Sequence, residues 1–249
     1  MELKKNERLD EVNDSLSLIQ DTEGLTFGTD ALLLAGYVGR GYKLGTELGG
    51  GTGIISMLLL TRDKLERAVC VEIQEEYARL IRENARHNGL GDRLECAHAD
   101  IRDYKATECD LVYTNPPYMK VDSGRRNLTD KKNIARHEVN GSIVDFCLAA
   151  KRALKYGGTF VAVYRPDRCA DLICAMRESG IEPKRMTLVH ADTESEPSMM
   201  LIEGKHGGKS GMRVTMPLII YSDRAHTAYG KDMEYIMENG VFPEKFFVK

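Results

Sequence analysis

Asn115-Pro116-Pro117-Tyr118 puts a side-chain amide, two rigid prolines and an aromatic ring in four consecutive positions. The chemistry these residue types suit is alkylation of a planar NH2 group. Such a nitrogen is a poor nucleophile because its lone pair is delocalised into the π-system. Two acceptors, the Asn115 side-chain carbonyl and the Pro116 backbone carbonyl, can hold its hydrogens and bias it towards pyramidal geometry. That aims the lone pair at an incoming carbon. Consecutive prolines fix φ and preorganise the acceptors, and Tyr118 offers a flat face on which the substrate can stack. Positioning supplies most of such catalysis. With a sulfonium methyl donor, which leaves as a neutral thioether, no metal or strong base is required. The plain alternative is an incidental proline-rich turn.

A site for that donor is expected upstream, in Glu47-Leu48-Gly49-Gly50-Gly51-Thr52-Gly53. Gly49, Gly51 and Gly53 let a strand end turn tightly against a ligand before a helix begins. A dinucleotide fingerprint would place its third glycine at position 54, where the chain has Ile54. The G-x-G-x-G spacing instead suits S-adenosylmethionine, whose binding needs no helix N-terminus for a pyrophosphate. Glu47 ends the preceding strand. Glu72 ends the apolar run Ala68-Val69-Cys70-Val71, 19 residues after Gly53, where a carboxylate can accept both ribose hydroxyls. Asp100 is placed to meet the adenine amino group, with Ile101 against the ring. Asn115 borders the same cofactor. A plain strand–helix turn and a solvated glutamate remain the alternatives. Gly204-Lys205-His206-Gly207-Gly208-Lys209-Ser210 looks like a phosphate-binding loop, but its first glycine is one residue too close and no helix follows. It is expected to be a hairpin loop.

Strand and helix signals alternate around these motifs. Strands are predicted near 44–48, 68–72, 93–97, 109–114 and 158–163, and helices near 53–61, 74–88, 142–155 and 168–179. This rhythm implies a doubly wound α/β sheet, mostly parallel, with helices on both faces. The stretches 184–190, 198–204 and 212–220 are strand-like with no helix between them, which predicts a C-terminal antiparallel hairpin plus one further strand. Ahead of the glycine turn, Leu16, Leu18 and Gln20 alternate as in a short strand, and Thr29-Asp30 reads as a helix start.

Composition narrows the function classes. The chain has 249 residues, is 42% hydrophobic and carries a formal net charge of −3, so any nucleic-acid contact must use a local patch. Six scattered cysteines without a CxxC pair argue against zinc and against a disulfide framework. The charged start Met1-Glu2-Leu3-Lys4-Lys5 is unlike a signal peptide, and the apolar run Ile54–Leu60 is too short to span a bilayer. The expectation is a soluble cytoplasmic enzyme with no membrane partner.

With both motifs in place, the chain resembles the amino-methylating class I methyltransferases. More closely, it resembles the bacterial valine-tRNA adenine-37 N6-methyltransferases. The resemblance rests on Arg8-Leu9-Asp10, Phe27-Gly28-Thr29-Asp30-Ala31-Leu32-Leu33-Leu34-Ala35, Glu47–Gly53, Asn115–Tyr118 and Arg136-His137-Glu138. Glu182-Pro183-Lys184-Arg185 and Met216-Pro217-Leu218-Ile219-Ile220-Tyr221 extend it. It implies one Rossmann-like domain over 1–249, with 1–42 as a closing segment before the core at 43–249. Phe27 to Asp30 would close over the methionine end of S-adenosylmethionine, bringing in Thr29 and Asp30; a helix cap at Thr29 or Asp30 is the local alternative. Gly50 departs from the commoner non-glycine residue and is expected to loosen the turn. The stretch after the clamp carries Lys120, Arg125, Arg126, Lys131, Lys132, Arg136 and His137. Beside an active site it suggests contacts to tRNA phosphates. Lys205, His206, Lys209 and Arg213 could form a second basic patch. A monomer acting on tRNA, not DNA, is expected. The rivals are a release-factor glutamine N5-methyltransferase and a non-catalytic cofactor- or RNA-binding module.

Overall fold

The computed structural model describes residues 3–22, 27–116 and 141–247. A two-stranded antiparallel ribbon comes first, β1 (Glu7–Asn13) with β2 (Leu16–Asp21), followed by helix α1 (Thr29–Tyr37). The main sheet then builds from β3 (Tyr42–Leu48), β4 (Leu65–Glu72), β5 (Leu94–His98), β6 (Cys109–Thr114), β7 (Leu154–Tyr164), β8 (Ile181–His190) and β9 (Pro197–His206). Two short strands, β10 (Arg213–Val214) and β11 (Leu218–Ile219), complete it. The remaining helices are α2 (Ile54–Thr61), α3 (Glu75–His87), α4 (Ile143–Ala153), α5 (Cys169–Glu178) and α6 (Lys231–Asn239).

The strand order is β10-β8-β9-β7-β6-β3-β4-β5, with β11 also on β8. The run β7-β6-β3-β4-β5 is parallel and β9 is antiparallel to both its neighbours. Alternation along the strands divides the core between two faces. Leu111, Tyr113, Val161 and Val163 pack with α1, α2 and α6, whereas Cys109, Val112, Phe160 and Ala162 pack with α4 and α5. This is the expected doubly wound sheet with an antiparallel hairpin.

The parallel strands require crossovers, and the helices that make them show ordinary determinants. In α3, Tyr77, Ala78, Leu80, Ile81, Asn84 and Ala85 form a buried stripe; Glu75 and Glu76 sit in its first turn and Arg86 and His87 in its last, matching the helix dipole. Helix α4 opens with a reciprocal Ser142–Asp145 capping box.

Three details depart from expectation. The hairpin turn is 191–196, between β8 and β9. The glycine-rich 204–210 segment instead leads across the end of β8 to β10, which is parallel to β8. Lys184 pins this crossover by donating to the Lys209 and Gly211 carbonyls. The 212–220 stretch is two short strands, because Pro217 cannot donate to a ladder. Strand β1 and helix α6 were not expected at all.

Candidate active site

Four neighbouring strands deliver the motif residues to one sheet edge. Asn115 follows β6, the glycine turn follows β3, Glu72 ends β4 and Asp100 lies just past β5. In the register, Glu47 is level with Tyr113 on one side and Cys70 on the other. Ligands bind at such carboxyl ends in open α/β sheets.

The glycine turn uses the freedom glycine provides. Gly49, Gly51 and Gly53 have φ of 74°, 54° and 83°, in the left-handed region. A Cβ at Gly51 would meet nothing within 4 Å, so the backbone there faces open space. Gly50 is needed for a different reason: a Cβ would lie 2.9 Å from Cys70 Cβ and 3.0 Å from Ile81 Cδ1. Gly50 therefore brings the turn down tightly onto β4 and α3 and does not loosen it.

Glu72 is 4% exposed, and its two oxygens hold the turn in place. Oε2 accepts from Gly51 N–H at 2.9 Å and Oε1 from Gln74 N–H at 2.8 Å. Burial raises its pKa, opposed by these backbone donors. Glu47 turns inwards and is 1% exposed. Its Oε2 accepts from Ser56 N–H at 3.2 Å and from Ser56 Oγ, and Ser56 Oγ lies 2.6 Å from Tyr113 Oη. Gly53 at the N-cap of α2 has no side chain to cap with, and Glu47 supplies that carboxylate from the preceding strand. Burial pushes the Glu47 pKa up to about 7 against the Ser56 and Cys70 hydrogen bonds. Glu47 thus braces the turn from below.

At the far end, Asp100 is engaged by its own neighbour. Oδ1 accepts from Arg102 N–H at 2.8 Å, and both oxygens pair with the Arg102 guanidinium, which lowers the Asp100 pKa. Ile101 is 6% exposed and packs with Phe146 and Val71 in the second core. Arg152 of α4 donates to the carbonyls of Ile101 and Arg102 at 2.7 and 3.1 Å, stapling this loop.

Asn115 is set from two directions. Thr114 Oγ1 donates to Leu48 O at 2.7 Å, tying the tip of β6 to that of β3. Asn115 Nδ2 donates to Asp30 Oδ2 at 2.8 Å. A carboxylate only accepts, so this bond fixes which end of the amide faces Asp30. The other end, Asn115 Oδ1, is buried and has no hydrogen-bond partner among the described residues. Pro116 is buried beside it. Pro117, Tyr118, Lys120, Arg125, Arg126, Lys131, Lys132 and Arg136 lie outside the described residues.

The chain entering α1 is anchored to the N-terminal ribbon. Gln20, 1% exposed, accepts from Phe27 N–H at 2.9 Å and donates to Asp10. Arg8, Leu9, Asp10, Glu11, Gln20 and Phe27 line a concavity of 590 Å³. The N-cap of α1 is Gly28, with no side-chain cap; Thr29 is the first helical residue, and Asp30 Oδ1 accepts from Ala31 N–H at 2.9 Å. The helix is held at its other end by Lys64, fully buried, which donates to the carbonyls of Ala35, Gly36 and Val38 at 2.7, 2.9 and 2.8 Å.

Sequence reasoning missed Lys64, Thr114, Arg102 and Arg152. Ser56 in the first turn of an otherwise apolar helix was the available signal for the Glu47 network. The second basic patch is largely spent internally. Lys205 donates to Thr159, His206 faces the Leu154 carbonyl and Arg213 donates to the carbonyls of Phe247 and Lys245. Among the described residues there is no cluster of three potential metal ligands and no helix long and apolar enough to cross a membrane.

The family described as Methyltransferase small domain matches residues 27–173, more than half of the chain. A tRNA1(Val) (adenine(37)-N6)-methyltransferase of Flavobacterium johnsoniae is 25% identical over 84% of this chain and 89% of its own. One of the same name from Pedobacter heparinus is 32% identical over 72% of this chain and 76% of its own. Among solved structures, a predicted O-methyltransferase from Agrobacterium tumefaciens superposes with a TM-score of 0.68 at 22% identity, covering 86% of this chain and 98% of that one. The chain belongs to the methyltransferase small domain family and is a class I, S-adenosylmethionine-dependent methyltransferase.

Proposed function

We propose that this enzyme methylates the N6 amino group of an adenine in tRNA, with position 37 of a valine tRNA as the site. The observation that carries the chemical half is the Asn115 side chain. Its NH2 is committed to Asp30, and its oxygen is buried without a partner among the described residues. A buried, unpaired acceptor costs about 1–3 kcal/mol, and an adenine amino hydrogen would relieve that cost. The names of the Flavobacterium and Pedobacter relatives support adenine 37 of a valine tRNA as the target.

In this reading Asn115 Oδ1 and the Pro116 carbonyl hold the two amino hydrogens, and Tyr118 stacks on the base. The nitrogen lone pair then points across the turn. When bound, S-adenosylmethionine supplies an electrophilic methyl carbon and a neutral thioether leaving group. The residues present fit it: Gly51 leaves open space for a ligand, and Glu72, whose carboxylate meets Gly51 N–H, is assigned to the ribose diol. Gly49 and Gly53 shape the turn; Asp100 and Ile101 are assigned to the adenine end, and Thr29 and Asp30 to the methionine end. Glu47 acts through Ser56 on the helix behind the turn. Lys120, Arg125, Arg126, Lys131, Lys132 and Arg136 are assigned to tRNA phosphates on charge alone.

The test is incubation with labelled methyl donor and separate pools of unmodified tRNA, DNA and release factor. Label in tRNA, recovered as N6-methyladenosine, is expected. Label in release-factor glutamine would replace this substrate reading by the amide one.

A further inference from the structure

Beyond β11 the chain builds a small aromatic structure that the methyl-transfer site does not use. Tyr221 packs on the first core cluster, and its N–H donates to Ala191 O at 2.8 Å, extending the pairing with β8. Its ring stacks with His226 (centroids 4.4 Å apart, planes at 14°) and with Tyr229 (5.4 Å, 20°). Tyr221 and Tyr229 also face each other as an antiparallel bridge. The outer rings are open to solvent: Tyr229 is 41% exposed and the His226 side chain 44%.

This arrangement is held from outside the rings. His226 sits at φ 56°, in the left-handed region, and its Nε2 meets Asp192 Oδ2 at 3.1 Å. Asp192 is fixed in turn by the N–H groups of Glu194 and Ser195 and by Ser195 Oγ, each at 2.9 Å. Asp223 accepts from the N–H groups of Thr227 and Ala228. Both carboxylates are thus turned to inner donors, while Arg224, 82% exposed, pairs with Glu194. A non-glycine residue at positive φ carries backbone strain, and here that strain places an exposed ring on Tyr221.

Its place in the sheet names the ligand. Strand β8 is parallel to β6 through β7 and β9, so the end of β8 at His190 opens on the same edge as Asn115. Four strand spacings separate β6 from β11, a distance on the order of 20 Å along the edge. This is the length of about six stacked bases on one strand. We infer that Tyr221, His226 and Tyr229 are a stacking platform for an unpaired base of the RNA substrate, several nucleotides from the methylated adenine. The inference rests on the tRNA reading above. Stacking on such rings is tolerant of base identity, so the platform contributes affinity and register, and the Asn115 pocket selects the target.

The test is binding of an unmodified tRNA transcript, followed by fluorescence anisotropy, with S-adenosylmethionine affinity measured in parallel. Tyr229→Ala and His226→Ala should each weaken tRNA binding about five- to a hundredfold. Tyr229→Phe should bind as wild type, Tyr229→Leu should behave like the alanine variant, and cofactor affinity should not move in any of them. A Tyr229→Ala variant within twofold of wild type, or a leucine variant as good as phenylalanine, overturns the platform while leaving the tRNA reading intact. Absence of wild-type tRNA binding overturns both.

Discussion

Asp30 and Asn115, 85 positions apart in sequence, meet in a single hydrogen bond of 2.8 Å from Asn115 Nδ2 to Asp30 Oδ2. That bond joins the first turn of α1 to the tip of β6, and it decides which face of the Asn115 amide is left for a substrate. The start of α1 and the tip of β6 are therefore tied together beside the glycine turn. Without Asp30 the amide could rotate and present donors to an amino group that needs acceptors.

Asp30→Ala should accordingly lower turnover about ten- to a hundredfold, the scale of a lost preorganising polar contact. The protein should remain folded, because Asp30 is only partly buried. Steady-state kinetics together with circular dichroism check this, and turnover within twofold of wild type would detach Asp30 from the mechanism.

Glu72→Ala removes the carboxylate that both holds Gly51 and is assigned to the ribose. S-adenosylmethionine affinity should fall by about 1–3 kcal/mol, the range for a charged hydrogen-bonding partner. Isothermal titration calorimetry on the folded variant measures it; unchanged affinity would take Glu72 out of the cofactor site.

Two glycines of the turn should respond differently to alanine. Gly50→Ala must push against Cys70 Cβ at 2.9 Å and Ile81 Cδ1 at 3.0 Å, backed by β4 and α3, and should cost about 1–3 kcal/mol as overpacking does. Gly51→Ala meets no atom within 4 Å, and its cost is the left-handed backbone alone, about 1–2 kcal/mol. Urea midpoints rank the two, and an equal or reversed order would contradict the packing described for Gly50.

Glu47 makes stability depend on pH. Its folded pKa is raised from 4.5 to about 7, so the folded state holds this proton more tightly than the unfolded chain. Stability therefore declines as pH rises from about 4.5 to 7, and the loss is complete above 7. Glu47→Gln keeps an acceptor for Ser56 and abolishes the titration. It should gain on wild type across that window, on the order of 3 kcal/mol in full. Urea unfolding of both proteins at pH 5, 6, 7 and 8 would expose parallel curves if the carboxylate were not buried in this way.

How much of this was legible in the sequence follows from the range of the forces involved. Strand β6 was readable as 109–114 because an apolar run ending in Asn-Pro-Pro carries its own boundary. Likewise, α2 and α3 follow from apolar periodicity after a glycine turn and a strand end. The β8–β9 hairpin was readable too. Strand β1, Glu7–Asn13, was not, because its exposed polar residues show no alternation until β2 is beside it. Helix α6 escaped for a similar reason, with Met233 and Ile236 as its only buried residues. At the candidate site, residue types and spacing placed Glu72 and Asn115 at the strand ends where the structure has them. They could not reveal that Glu47 faces inwards to Ser56, that Asp100 is paired with Arg102, or that Asp30 reaches Asn115. Those depend on side-chain direction across strands distant in sequence.

The measurement closest to the central claim is the single-turnover rate of methyl transfer to adenine N6 in an unmodified tRNA transcript by Asn115→Ala, with cofactor affinity measured on the same preparation. An acceptor aimed at the amino group predicts a rate about a hundredfold or more below wild type, with S-adenosylmethionine binding nearly unchanged. A rate within a few-fold of wild type would contradict the account.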